Sequence, residues 1–471
     1  MSSSMAICKL ASVVSGRCSE RAGKLSFSAV SSDSRNLQKG ELFIALQGPN
    51  FDGNKFVEMA AKNGAIAALV SRQQASSIEQ VVVDDTHKAL ADLATAWRKE
   101  FKGPLIGITG SNGKTTVKEM VAAILSKCGK TLATKGNLNN DIGVPLTLLS
   151  LQSEHRYAVI EMGANHRGEI EYTATIAAPD IAIITNAAAA HLAGFGDLEG
   201  VAKTKGEIVE ALPEKGVAIL NRDDVFYGKW EALANSREII SFGFSEKARV
   251  RTDIDSISFS LEEGHFKTVY PISWDNKEVL VSLSLAGNHN VKNSLAAAAA
   301  CLAAGCSLEQ IKEGLESMLP VKGRLCALAG LKGAVVIDDS YNANPASCSA
   351  ALDLLSDMNG EKWMALGAFA ELGERSRELH HEMGREIKKK GVKRLFAVGE
   401  EAKQVVEAFG AEGYWFEEQG SLIESLKEKL NKDVIVLVKG SRSQKMERVV
   451  EALLASNQLK EREAKNAALT S

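Results

Sequence analysis

Leu105-Ile106-Gly107-Ile108-Thr109-Gly110-Ser111-Asn112-Gly113-Lys114-Thr115-Thr116 is the stretch that decides how this chain is read. Five residues of buried-strand character run into a turn with two glycines, and beyond it Val117, Met120, Val121, Ile124 and Leu125 recur at helical spacing over 115–128. Strand, glycine turn and helix in that order describe a phosphate loop. Backbone N–H groups of the turn converge on phosphate oxygens, and the helix N-terminus adds partial positive charge. Lys114 bridges the terminal phosphates and the Thr115 hydroxyl ligates magnesium. The usual pattern has glycine where Ile108 stands. The reading therefore rests on the flanking strand and helix, which a plain glycine turn with a surface lysine would not require.

Moving upstream, Lys102-Gly103-Pro104 separates this strand from a charged helical stretch ending Trp97-Arg98-Lys99-Glu100, so a domain begins there. The N-terminal part has strand signals at 41–46 and 67–70 around a helix at 55–63. Downstream, Tyr157-Ala158-Val159-Ile160-Glu161 and Ile181-Ala182-Ile183-Ile184-Thr185 read as further strands. An alanine-rich helix at 290–304 and a polar one at 308–318 precede Pro320-Val321-Lys322-Gly323-Arg324. Short apolar runs at 334–338, 363–366, 394–398 and 434–438, separated by helical segments, predict a second doubly wound unit. The fold class is thus α/β with mainly parallel sheets. Three domains are expected, at 1–103, 104–320 and 321–471, with a polar tail after Ala455 that frays.

Composition narrows the function without naming it. The 471 residues are too many for one ordinary core, and 45% hydrophobic with 24% charged side chains is that of a globular protein. A net charge of -3 from intermixed acids and bases argues against nucleic acid as a partner. Seven cysteines without a C-x-x-C pair suit reduced thiols rather than a disulfide or zinc framework. The start shows no basic cap followed by an apolar core, and the longest apolar run falls short of a membrane span, so a cytoplasmic protein is expected. Glu161, at a strand end, is placed to reach magnesium. His191 follows the strand ending Thr185-Asn186, and a lone histidine is more often structural than a ligand.

Further segments complete an ordered set: Ser32-Asp33-Ser34-Arg35, Leu42-Phe43-Ile44-Ala45-Leu46-Gln47-Gly48, Gly136-Asn137-Leu138-Asn139-Asn140-Asp141, Glu161-Met162-Gly163-Ala164 and Ala190-His191-Leu192. Lys205-Gly206-Glu207-Ile208, His289-Asn290-Val291-Lys292-Asn293, Asp338-Asp339-Ser340-Tyr341-Asn342-Ala343-Asn344-Pro345, Glu371-Leu372-Gly373 and Lys439-Gly440-Ser441-Arg442 follow. Together with the phosphate loop, in this order and through nearly the whole chain, they resemble the Mur ligase family. The resemblance implies an N-terminal uridine-nucleotide module, a central ATPase-like domain and a C-terminal Rossmann-like domain. It also implies a ligase that activates a peptide carboxylate with ATP as an acyl phosphate and captures it with an amine. The nearest branch joins D-Ala-D-Ala to UDP-MurNAc-tripeptide for peptidoglycan synthesis; for this chain a monomer is expected.

Residue by residue, the resemblance assigns Gly110, Ser111, Asn112, Gly113, Lys114, Thr115 and Thr116 to ATP. Asn290 and Asn293 fall on its adenine side, and Arg324 and Asp339 on phosphate and ribose. Thr115, Glu161, His191 and Lys205 serve two magnesium ions, with Lys205 carbamoylated; Lys114, Lys205 and His191 form the catalytic set. Ser34 and Arg35 face the uridine diphosphate, and Asn137, Asn139 and Asn140 the sugar-peptide. Two positions depart from the branch: Asn54 replaces a common histidine, and Ala368-Phe369 replaces Asp-Met, removing a carboxylate. The diaminopimelate-binding version of the branch that adds the third peptide residue carries an Asp-Asn-Pro-Arg signature, which this chain lacks. Folylpolyglutamate-type ligases lack the uridine module. A P-loop ATPase without ligase activity is the rival of another class, and it would release phosphate with no amine acceptor present.

Overall fold

The computed structural model describes residues 4–188, 192–262, 265–318 and 322–455. His191 and the junction at 320/321 lie outside the described residues. Three main sheets account for the architecture. The N-terminal sheet is short and parallel, its strands Val30–Ser31, Leu42–Ile44, Ala67–Val70 and Glu79–Val82 lying in sequence order.

The central sheet is larger. Its parallel part runs Thr131–Ala133, Tyr157–Glu161, Leu105–Thr109, Ile181–Ile184, Val217–Asn221 and Glu238–Gly243. Leu105–Thr109 is buried along its whole length, which explains its unbroken apolar run. The chain leaves this strand first to one side and then to the other, so the strand sits at a switch point. Crevices for ligands open at the carboxyl ends of strands at such points. An antiparallel extension of Ser258–Glu262, His265–Trp274 and Lys277–Leu283 completes the sheet. The sequence reading passed over it, although alternating polar and apolar residues are a strand signal; Pro271 inside the longest of these strands weakens that signal.

The C-terminal sheet runs Cys326–Ala329, Val335–Asp339, Val434–Lys439, Glu361–Gly367, Arg394–Val398 and Gly413–Phe416, parallel except for the first strand. Helices cover both faces, as expected for a doubly wound unit, and separate apolar clusters fill the two sides.

The helix Thr86–Glu100 belongs to the N-terminal segment but packs onto the central domain. Trp97 donates its indole N–H to the Leu151 carbonyl at 3.0 Å. Arg98, in the charged helical stretch noted in the sequence, is buried. Its guanidinium donates to the carbonyls of Ala177 and Ala178 at 2.8 and 2.9 Å and to Asp180 at 3.0 Å. One apolar cluster runs from Met5 in the N-terminal segment to Tyr227 in the central domain, so the two share a core.

Candidate active site

The phosphate loop turns sharply between strand and helix, with Gly110 at φ 145° and Gly113 at φ 82°. A Cβ on Gly110 would sit 1.9 Å from the Thr185 hydroxyl oxygen, and one on Gly113 would sit 2.4 Å from Asn293 Oδ1. Only glycine meets both the dihedral and the steric demand. The end of the strand Ile181–Ile184 clamps the loop from beneath. The N–H of Ser111 donates to the Asn186 carbonyl and that of Asn112 to Asn186 Oδ1, both at 3.0 Å, while the Thr185 hydroxyl donates to the Asn112 carbonyl at 2.6 Å. Thr116 opens the helix Lys114–Ser126 on the side of the larger cavity described below.

Lys114 folds back over the loop and donates to the Gly110 carbonyl at 2.7 Å. Burial holds its pKa below the ordinary lysine value; Glu161 opposes this and Arg324 reinforces it. Its ammonium is therefore close to a carboxylate and already desolvated, the state in which a charge acts most strongly on a bound phosphate.

Glu161, 2% exposed, accepts hydrogen bonds at Oε1 from Asn139 Nδ2 at 2.9 Å and from the Thr115 hydroxyl at 3.3 Å. Its Oε2 is buried and has no hydrogen-bond partner among the described residues. A buried, unpaired carboxylate oxygen is costly unless a cation meets it. The hydroxyl of Thr115 beside it supplies a second oxygen, and such donors suit magnesium. Among the described residues no cluster of three or more His, Cys, Asp or Glu side chains could hold a metal. The protein thus offers a magnesium ion two oxygens, and water or phosphate would complete its shell.

Lys205, on the helix Leu198–Glu210, is also 2% exposed. Its ammonium lies 5.1 Å from the centre of the Phe195 ring. Burial, reinforced by the charge of Lys114 and opposed by Glu207 and Glu169, lowers its pKa to about 7. A substantial fraction of the amine is then neutral near neutral pH, as reaction with carbon dioxide requires.

Two cavities meet at the loop. The smaller, about 230 Å³, is lined by Ser111, Asn112, Gly113, Lys114 and Thr115, by Glu161 with Asn139 and Asn140, and by Arg324, Tyr341 and Asn344 of the C-terminal domain. The larger, about 500 Å³, carries Asn290 and Asn293 at the start of the helix Asn288–Ala303, with Arg324, Asp339 and Lys439 opposite. Asn290 Nδ2 donates to the Ala286 carbonyl at 2.8 Å and Asn293 Nδ2 to Asn290 Oδ1 at 3.2 Å, which fixes both amides in the cavity wall. Arg324 lies over the Tyr341 ring at 4.3 Å. Asp339 and Lys439 form a buried ion pair at 2.5 Å, yet desolvation still raises the Asp339 carboxyl above its usual pKa. Asn344 Nδ2 donates to Asn112 Oδ1 at 2.8 Å and so ties the C-terminal domain directly to the phosphate loop. Neither Asn344 nor Lys439 stood among the expected site residues. Each lay in a quoted motif, but their partners are 232 and 100 positions away.

The structure thus gathers the loop, Glu161, Asn139, Asn140, Asn290, Asn293, Arg324 and Asp339 around the two cavities. Lys205, Asn137, Ser34 and Arg35 line neither cavity. In the N-terminal module, Arg35 grips Asp33 through two hydrogen bonds of 2.9 and 2.8 Å, an arrangement that holds the Asp33 carboxyl down at about 2. Ser34 donates its hydroxyl to Met59 Sδ at 3.4 Å. Asn54 is buried; its Nδ2 donates to Asp52 at 2.8 Å and to Ser71 Oγ at 3.0 Å, and its Oδ1 accepts from the Ser71 N–H at 3.2 Å. Ala368 and Phe369 are buried too, with Ser441 donating its hydroxyl to the Ala368 carbonyl at 2.6 Å and Phe369 against His380. Both departures from the branch pattern therefore serve internal packing.

Comparison with known proteins agrees with this geometry. Residues 26–98 match the description "Mur ligase family, catalytic domain", 108–301 "Mur ligase middle domain" and 323–442 "Mur ligase, glutamate ligase domain". The chain belongs to the Mur ligase family. This Mur ligase is 41% identical over 452 residues to the UDP-N-acetylmuramoyl-tripeptide–D-alanyl-D-alanine ligase of Escherichia coli (strain K12), covering 96% of this chain and 98% of that one. Among solved structures it is similar to MurF from Acinetobacter baumannii, at TM-score 0.88 and 37% identity over 95% of this chain and 98% of the other. The MurF ligase of Thermotoga maritima in complex with ADP is 27% identical, at TM-score 0.79 over 92% of this chain and 98% of that one. Among the described residues no helix is long and apolar enough to cross a membrane.

Proposed function

We propose that this Mur ligase joins D-alanyl-D-alanine to UDP-MurNAc-tripeptide, with conversion of ATP to ADP and phosphate, and so makes UDP-MurNAc-pentapeptide for peptidoglycan in the cytoplasm. The relatives' names support the choice of substrates. The observation that carries the chemistry is the smaller cavity, where Lys114 and the unpaired oxygen of Glu161 meet at the mouth of the phosphate loop.

A carboxylate oxygen of the tripeptide attacks the γ-phosphorus, and the bond to the β-phosphate oxygen breaks, giving an acyl phosphate and ADP. The dipeptide amine then attacks the acyl carbon, phosphate leaves and the nitrogen loses a proton. Two anions must approach in the first step, so the desolvated Lys114 ammonium offsets their repulsion and the loop N–H groups hold the phosphates in line. Bound at Thr115 and Glu161, magnesium would neutralise further charge on the transferred group. A second magnesium would be held by His191 and a carbamoylated Lys205; the neutral Lys205 amine adds carbon dioxide and releases a proton. Asn290 and Asn293 hold the adenine, while Arg324 and Asp339 close over phosphate and ribose and exclude water from the acyl phosphate. Ser34 and Arg35 receive the uridine diphosphate, for which the Arg35 fork must exchange Asp33 for phosphate. Asn137, Asn139 and Asn140 face the sugar-peptide. The domains are 1–103, 104–320 and 321–471, in a monomer.

Purified protein supplied with ATP, magnesium, UDP-MurNAc-tripeptide and D-Ala-D-Ala should yield a product heavier than the tripeptide by one dipeptide less water, detected by mass spectrometry. Phosphate release that ignores the amine, or preference for a single amino acid as acceptor, would reject the assignment.

A further inference from the structure

Outside the site, three of the seven cysteines come together although 173 positions separate the first from the next. Cys128 follows the phosphate-loop helix, Cys301 lies in the helix Asn288–Ala303, and Cys306 follows that helix. The sulfurs of Cys128 and Cys306 are 3.3 Å apart. Cys301 is fully buried and Cys306 nearly so, whereas Cys128 is partly open to solvent. The Arg156 guanidinium donates to the Cys128 carbonyl at 2.8 Å, placing a positive charge beside the group. Nothing in the ligase chemistry uses these thiols.

We propose that Cys128 and Cys306 form a reversible oxidation site, closing to a disulfide on exposure to a peroxide. A disulfide needs a sulfur separation of about 2.05 Å, so the present contact of 3.3 Å has only about 1.2 Å left to close. The Cys306 thiolate attacks one peroxide oxygen; the O–O bond breaks, sulfenic acid forms and one water leaves after protonation. The Cys128 sulfur then attacks the Cys306 sulfur, the S–O bond breaks, the S–S bond forms and a second water leaves. Two thiols thus lose two electrons and the peroxide gains them. Thiol–thiol hydrogen bonds from Cys301 and Cys128 favour the thiolate at Cys306 and bring its pKa to about 7, while burial opposes them.

The bond would link the far ends of two helices whose near ends carry Lys114 and Thr115 on one side and Asn290 and Asn293 on the other. It would close a loop of 178 residues, and such a link restrains the unfolded chain.

The test uses the full-length protein, first reduced, then freed of reductant and treated with dilute hydrogen peroxide, and finally alkylated and mapped without reduction. Two alkylatable thiols should disappear, a peptide joining Cys128 to Cys306 should appear, and the melting temperature should rise by several degrees; dithiothreitol should reverse all three. In Cys128→Ser, whose side chain is partly exposed and whose folding is checked by its melting curve, the linked peptide should be absent and Cys306 should carry added oxygen. A link between Cys301 and Cys306, or seven thiols still alkylatable after treatment, would overturn the proposal.

Discussion

The phosphate loop and the N-terminal module are both built from polar residues, but they stand in opposite conditions. Around the loop, polarity is left over: Glu161 Oε2 is buried without a donor, and Lys114 satisfies itself on its own loop's carbonyls. In the N-terminal module it is used up: Asp33 occupies the fork of Arg35, and Asn54 spends its amide on Asp52 and Ser71. A region with unmet hydrogen-bonding capacity is organised for a partner before that partner arrives. A satisfied one must first give up internal bonds.

Replacing Lys114 with Ala should produce the largest effect, slowing product formation about 1,000-fold while the folded state persists, as read by mass spectrometry beside a melting curve. A normal rate would remove the loop from the chemistry. Glu161→Gln should slow the reaction about 100-fold and raise the magnesium concentration needed for half-maximal rate. An unchanged magnesium dependence would mean that the unpaired oxygen is not what separates the two regions. Arg35→Ala should raise the KM for the uridine substrate about tenfold with little change in kcat. Equal losses in both would place Arg35 in the transition state instead.

Smaller still is the Lys205 effect on stability. Its folded pKa of about 7 lies below the ordinary lysine value of 10.5, so between these values the unfolded chain binds more protons. Stability from this group should therefore rise as pH increases from about 7 to 10.5 and be least below 7. Lys205→Met should flatten that slope in thermal melts taken across the range. Asn54→Ala should cost about 1–3 kcal/mol in denaturant unfolding with kcat unchanged.

What could be read in advance follows from how locally each feature is encoded. The loop was legible because strand, glycines, lysine and helix fall within 22 consecutive residues, from 105 to 126. The parallel sheets were legible because strands buried on both faces leave unbroken apolar runs such as Ile181–Ile184. The helix read at 55–63 proved to be a 3₁₀ turn, Gly53–Phe56, continued by Val57–Lys62; a 3₁₀ start shares the helical spacing and is invisible to it. The bond between Asn112 and Asn344 and the pair Asp339–Lys439 could not be read, because nothing local to either partner specifies the other. Arg98 is another such case, since nothing in the charged stretch around it specifies the distant carbonyls of Ala177 and Ala178 that it caps.

The seating of Trp97 and Arg98 has a mechanical consequence. Because the N-terminal module is rooted in the central domain's interior, the two should unfold as one cooperative unit. Proteolysis at Lys102-Gly103, where the sequence marks the start of a domain, should therefore nick the backbone without releasing a fragment.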